Sequence, residues 1–249
     1  MRAILIALAL FVAAVGGYAF KEFASARSAA VDSTLINQQI SQFLKDHPEE
    51  VVNALNLAQS KQEELQKVAA TQAMELQQDQ IFNNPADPVV GNAKGDVTVV
   101  EFFDYRCPYC KRVSDSLLQL VKDDPKIKLV YKEFPILGPE SVVAAKIALA
   151  AHRQGKYEPV HAALMAHKGS FDQAALLDLA ASAGADREKL AADMQDPAIQ
   201  GLLRANEALA GALGISGTPG FLFGKQLVPG AISLDDMKKM VSSARAQPG

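Results

Sequence analysis

The chain has 249 residues, 49% of them hydrophobic and 21% charged, which is enough apolar content for one ordinary core plus a small appendage and too much for a disordered protein. A net charge of -3, with no Lys/Arg block longer than the pairs Lys111-Arg112 and Lys238-Lys239, gives no electrostatic reason to expect nucleic acid.

Met1-Arg2 is followed by "AILIALALFVAAVGGYAF", an unbroken apolar, alanine or glycine run from Ala3 to Phe20. A short positive start ahead of a membrane-seeking stretch reads as an export signal, so residues 1–26 are expected to be a signal peptide or an N-terminal anchor. Ala24-Ser25-Ala26 offers a small-x-small cleavage pattern, but Lys21 and Glu22 interrupt the approach and the apolar run nears bilayer-spanning length. Both outcomes stay open, and either places the remainder in a periplasmic or other extracytoplasmic compartment, soluble or tethered. Such a compartment oxidises thiols.

Residues 27–84 form a polar, helix-prone extension. Leu35, Ile36, Ile40, Phe43 and Leu44 space as one helical face, and "DHPEE" restarts a helix, with Asp46 and Glu49 fitting a capping box around Pro48. Beyond it Val51, Leu55, Ala58, Leu65, Ala69 and Leu76 make a thin seam, broken by Gln62 and Gln72. So narrow a stripe suits self-association into a homo-oligomer; a solvated spacer helix is the simpler alternative.

"NNPADPVVGNAKGD", Asn83 to Asp96, is rich in turn-forming residues and reads as a linker, with a domain over 85–249 following. "VTVVEFF", then a helix from "CPYCKR", then "KIKLVYKEFP" make a βαβ unit with two parallel strands. A helical insertion is expected over about 138–213. The chain closes with a strand at 220–223, a Gly224-Lys225 turn, a strand at 226–228 and a helix capped by Ser233.

Both cysteines of the chain, Cys107 and Cys110, lie in the CPYC at the start of the first domain helix. Pro108 suits the first helical position, which makes Cys107 the N-cap. Free N–H groups and the positive end of the helix dipole then favour its thiolate, with Lys111 and Arg112 adding positive charge. Cys110, one turn along and more enclosed, is within reach to close a disulfide. Three other readings compete. A structural disulfide would close too short a loop to stabilise much. A half-site for a soft metal such as Cu(I) would need ligands that the scattered His47, His152, His161 and His167 do not supply. Two inert buried thiols suit an oxidising compartment poorly.

Glu101 stands on a strand among Val99, Val100, Phe102 and Phe103. A buried acid there can exchange the proton that thiol chemistry requires, with Lys132 on the next strand as its charge partner; an ordinary strand-edge ion pair is the equal alternative. In "SGTPG", Thr218-Pro219 sits where a cis bond or a plain turn can open a strand.

With "VVEFFDYRCPYC", the helical block and "GISGTPGF" together, the chain resembles the DsbA family of thioredoxin-like thiol-disulfide oxidoreductases, from about Asp87 onward. The resemblance implies an α/β thioredoxin fold with a helical insertion, preceded here by the helical extension. It implies that Cys107 and Cys110 form the redox-active disulfide, with Cys107 as nucleophile and Cys110 as resolving thiol. Thr218 and Pro219 would bind substrate backbone. Tyr109 follows Pro108 where well-known members carry histidine, which removes one donor to the thiolate. The extension is similar to that of ScsC and Com1-like exported proteins, and in ScsC-like members such an extension makes an oligomer that shuffles wrong disulfides. The expected function is therefore disulfide exchange with cysteine-containing exported clients, leaning to isomerase, with a membrane redox partner and without a cofactor or metal. A disulfide-donating oxidase and a copper-binding module are the alternatives.

Overall fold

A computed structural model describes residues 33–246; the export-signal reading over residues 1–26 lies outside them. The chain divides between Glu63 and Glu64 into two compact units. In the first, α1 (Ser33–Asp46) is followed by the start of α2 (Pro48–Leu76). Pro48 opens α2 as expected, but the capping box does not form. Asp46 belongs to the end of α1 and accepts from Gln42 Nε2 at 3.0 Å, because His47 N still bonds back to Phe43 O (2.8 Å) and holds Asp46 in the preceding helix. The apolar face of α1 is uncovered, with Ile40 and Phe43 each 51% exposed.

The second unit is built on a five-stranded sheet, β1 (Val89–Gly91), β2 (Val97–Phe103), β3 (Ile127–Glu133), β4 (Gly220–Phe223) and β5 (Gln226–Pro229), in the order β1-β3-β2-β4-β5. β2 and β3 are parallel, Glu101 lying opposite Tyr131, and the other pairs are antiparallel. Helices α3 (Gln78–Phe82), α4 (Pro108–Asp123), α5 (Pro139–Arg153), α6 (Tyr157–Ala166), α7 (Gln173–Ser182), α8 (Arg187–Asp193), α9 (Pro197–Ala212) and α10 (Leu234–Ala246) complete it. The segment read as a linker contains β1 and is preceded by α3. Three residues of alternating burial, Val89 to Gly91, are too short to stand out among Pro, Gly and Asn, and they form a strand because β3 offers an open edge.

β2 and β3 are covered on both faces, which explains their near-continuous apolar sequences. Val97, Val99 and Phe103 face one core with Leu117 and Leu120 of α4 and the insertion helices α5 to α8. Val100 and Phe102 face the other, with Ile81 of α3, Leu209 of α9 and, from the last turns of α2, Ala73 and Met74. Each fully buried leucine such as Leu117 contributes about 2 kcal/mol by removal from water.

The same alternation corrects the expected pairing of Lys132 with Glu101. Lys132 lies one residue past Tyr131 and so points to the opposite face, where its ammonium donates to Asp87 and to the carbonyl of Gln80. Both charged groups are fully enclosed. Burial pushes the Asp87 carboxyl up and the Lys132 ammonium down, and each is partly restored by the other. Removing one partner strands the other charge, so Lys132→Ala is expected to cost about 3–5 kcal/mol in urea unfolding, while Lys132→Met with Asp87→Leu costs far less. Equal losses in the two variants would show that the pair is not electrostatically coupled.

Candidate active site

The site forms where β2 runs into α4. Asp104, buried at the end of β2, ties this junction: Oδ1 accepts from Arg106 N (2.8 Å) and Ser141 Oγ (2.8 Å), and Oδ2 from Leu137 N (2.9 Å). Arg106 adds Nη1 bonds to Leu137 O (2.8 Å) and Glu140 Oε2 (2.7 Å). The loop before the cysteines is thereby locked to the start of α5. Neither Asp104 nor Ser141 was singled out from sequence; the Asp-x-Arg step of an Asx turn is the only signal for them.

Cys107 is the N-cap of α4, with φ −71° and ψ 117°, and Pro108 takes the first helical position. Its carbonyl accepts from Lys111 N (3.1 Å) and its own N–H donates to Asp104 O (3.0 Å). The Cys107 Sγ–H donates to the carbonyl of Thr218 at 3.2 Å. The Thr218-Pro219 bond is cis. Gly220, the next residue, lies so close to Ile215 that a Cβ would come within 2.8 Å of it, so only glycine lets the loop enter β4 at this approach. The structure thus brings Cys107, Cys110, Pro108, Thr218 and Pro219 together, with both thiols free. Tyr109 is 52% exposed and carries the Arg112 guanidinium 5.0 Å above its ring.

Cys110 is fully enclosed while Cys107 keeps 4% exposure. Burial, and after it the charge of Glu101, pushes the Cys110 thiol far up. Glu101 shares the face of β2 that α4 covers, and burial alone raises its carboxyl from 4.5 to about 8. Lys132, expected beside it, is absent from this face. Lys111, expected to add charge near the sulfur, instead donates to the Met165 (3.0 Å) and His167 (2.5 Å) carbonyls at the end of α6. Those carbonyls have no partner within the helix, so they attract the ammonium.

Among the described residues no three His, Cys, Asp or Glu side chains gather as a metal site. Of the scattered histidines, His161 is enclosed with Tyr105, Tyr131, Tyr157 and Glu133. Glu133 Oε1 accepts from Tyr105 Oη and Tyr157 Oη, both at 2.9 Å. Sequence reasoning passed over this cluster, whose members lie on three separate elements.

Residues 98–242 match the family model of the DSBA-like thioredoxin domain. Among solved structures, a thioredoxin-like oxidoreductase from Silicibacter pomeroyi DSS-3 is 46% identical, with a TM-score of 0.66 over 68% of this chain and 98% of that one. ScsC of Proteus mirabilis in a transitional conformation is 27% identical, with a TM-score of 0.66 over 87% and 98%. Curated relatives include the Na(+)/H(+) antiporter NhaA 1 of Salinispora arenicola, 32% identical over 65% of this chain. Another is the thiol:disulfide interchange protein DsbA of Bordetella parapertussis, 31% identical over 62% of this chain and 75% of that protein. The chain spans about a quarter of the length of the antiporter relative, 26%.

The raised carboxyl of Glu101 has a thermodynamic signature. The native reduced protein holds a proton that the unfolded chain releases above 4.5, so this group's contribution is complete below pH 4.5 and is lost as pH rises through about 8. Between pH 5 and 8, wild type is expected to lose stability relative to Glu101→Gln by about 1.4 kcal/mol per pH unit. Urea unfolding of both proteins across that range checks it, and parallel curves would count against the raised value.

Proposed function

The chain belongs to the family of DSBA-like thioredoxin domains, and on that premise we propose that it is an exported thiol-disulfide oxidoreductase that exchanges disulfides with cysteine-containing client proteins. One observation carries this reading: the Cys107 sulfur sits at a helix N-terminus, 3.2 Å from the carbonyl of the cis Thr218-Pro219 loop. The Cys107 thiolate attacks a client disulfide; a Cys107–client bond forms and the client's other sulfur leaves with the electron pair. Either a client thiol or Cys110 then attacks the mixed disulfide. In the second case the Cys107–Cys110 bond forms, and the client departs reduced.

Thr218 and Pro219 fit a role in holding the client backbone beside the sulfur, since the Thr218 carbonyl lies 3.2 Å from Cys107 Sγ and Thr218 is only half-buried. Glu101 fits the role of proton acceptor for the enclosed Cys110, which cannot ionise unaided in that environment. Pro108 fixes the first turn of α4. Tyr109, with Arg112 stacked on it, presents a surface to the client rather than a donor to the sulfur.

The direction of exchange in our reading leans to isomerisation. Its support is the uncovered apolar face of α1 and the exposed seam of α2, which suit assembly with further copies of the chain. Several sulfurs facing one misfolded client raise the local concentration of the attacking group. In this reading the helical extension over 27–84 assembles the protein, the domain over 85–249 with its insertion at about 138–213 does the chemistry, and a membrane redox partner keeps Cys107 reduced. Disulfide donation is the second reading, supported by the 31% identity to the thiol:disulfide interchange protein DsbA of Bordetella parapertussis.

Cys107→Ser is expected to abolish exchange on a scrambled substrate, and Cys110→Ser to accumulate client mixed disulfides; exchange that survives in Cys107→Ser removes the nucleophile assignment. Ile40→Lys with Phe43→Lys is expected to reduce the mass seen by light scattering and to lose disulfide shuffling while thiol oxidation persists. A monomeric wild-type protein takes away the basis of the isomerase lean.

A further inference from the structure

Four enclosed side-chain polar atoms have no hydrogen-bond partner among the described residues: Asp87 Oδ1, Glu101 Oε1, Tyr131 Oη and His161 Nε2. Asp87 lies on the face of the sheet occupied by Lys132. The other three belong to the face beneath α4 and α6, and all three residues are at most 2% exposed. Enclosed polar groups left unpaired cost about 1–3 kcal/mol each, so two on one face of the sheet and a third on the helix packed against it call for a common explanation.

Glu101 and Tyr131 are register partners on the parallel strands β2 and β3, which places them side by side on one face. The Tyr131 ring packs on that of His161, their centroids 4.3 Å apart and the planes 36° from parallel. His161 Nδ1 is engaged with Tyr105 Oη at 3.0 Å, and the Tyr105 hydroxyl is already within 2.9 Å of Glu133 Oε1. With the Tyr105 hydroxyl donating to Glu133 Oε1, its oxygen accepts from Nδ1–H, and Nε2 of the neutral ring is an acceptor. Burial holds the His161 imidazole neutral by lowering it to about 3. The available groups are thus a carboxyl oxygen, a hydroxyl and an imidazole lone pair. Internal waters are held by two to four such groups.

We propose that Tyr131 is a positioning residue for proton transfer at Glu101: its hydroxyl and His161 Nε2 hold one internal water against Glu101, completing the inner end of the path by which Cys110 loses its proton. This rests on the reading of Cys110 as resolving thiol. During resolution the Cys110 S–H proton passes to the Glu101 carboxylate as the Cys110 sulfur bonds to that of Cys107. The Cys107–client bond breaks with its electron pair on the client sulfur, which takes a proton from solvent. Glu101, now neutral, returns its proton to solvent before the next turnover. The Tyr131 hydroxyl donates to the water, and the water donates to His161 Nε2 and to the carboxylate form of Glu101, which it stabilises after each release.

The titratable groups that share this side of the sheet with Glu101 are Cys110 from α4, Tyr131 and Glu133 from β3, Tyr105 from the loop after β2, and His161 and Tyr157 from α6. Phe221, its antiparallel neighbour on β4, brings no charge. Tyr131, pushed well above its ordinary range by burial and then by Glu101, Glu158 and Glu133, stays a neutral donor throughout.

Tyr131→Phe keeps the ring and removes only the hydroxyl. The resolution rate of a preformed mixed disulfide with a cysteine-containing peptide is to be followed against pH in wild type, Tyr131→Phe, Glu101→Gln and the double variant. Infrared titration of the buried carboxyl C=O stretch gives a second readout that does not depend on turnover. The expected result is a midpoint moved upward by about half a unit or more in Tyr131→Phe, in both measurements, with no further change when Glu101→Gln is already present. Superimposed wild-type and Tyr131→Phe profiles, with Glu101→Gln altered, overturn the proposal and leave the reading of the site intact. A shift that persists in the Glu101→Gln background also overturns it, because Tyr131 would then act elsewhere. Exchange that survives Cys107→Ser overturns the reading itself.

Discussion

The two-residue period of β2 and β3 is the constraint on which the site depends. These strands run parallel through the middle of the sheet, and each carries ionisable side chains where a buried strand ordinarily carries none. Alternation sends Glu101 and Tyr131 beneath α4 and Lys132 to the other face, so an acid and an ammonium on neighbouring strands never meet. Had they met, the carboxylate would be held ionised by a fixed cation. Kept apart, Glu101 is raised by burial to about 8 on the face that α4 and Cys110 cover, while Lys132 anchors Asp87 and Gln80.

Much of this was legible in the sequence because it is written in local patterns. The alternation and apolar density of "VTVVEFF" and "KIKLVYKEFP" gave both parallel strands, the Cys-Pro step gave the N-cap, and Ser233 capped the last helix as expected, its Oγ accepting from Asp236 N. What stayed hidden depends on which residues share a face or meet across elements. Composition alone pairs Lys132 with Glu101, but strand register decides between neighbouring residues, and a displacement of one changes the face. Tyr131, the true neighbour, has nothing in its sequence surroundings to mark it. Asp104 joins a loop, a strand end and the start of α5, and Glu133 joins tyrosines from two elements, contacts that only the folded chain brings together.

The helical insertion takes part in the site as well as in the core. Ser141 and Glu140, at the start of α5, hold the loop that delivers Cys107, and α6 supplies His161 and Tyr157 behind Glu101. Hydrogen bonds to enclosed carboxylates fix these elements more narrowly than apolar packing alone would, since each has a preferred direction as well as a distance.

Lys111 adds a consequence of its own. Its ammonium neighbours Cys110 in the chain yet is moored on the carbonyl end of α6, under which the Phe171 ring lies 5.3 Å away. A chimaera that grafted "CPYCKR" onto a scaffold lacking α6 would set this cation adrift in solvent beside the sulfurs. Swapping the two residues between the cysteines in such a graft would therefore act on a different electrostatic neighbourhood, because the position of this cation belongs to α6 as much as to the cysteine segment.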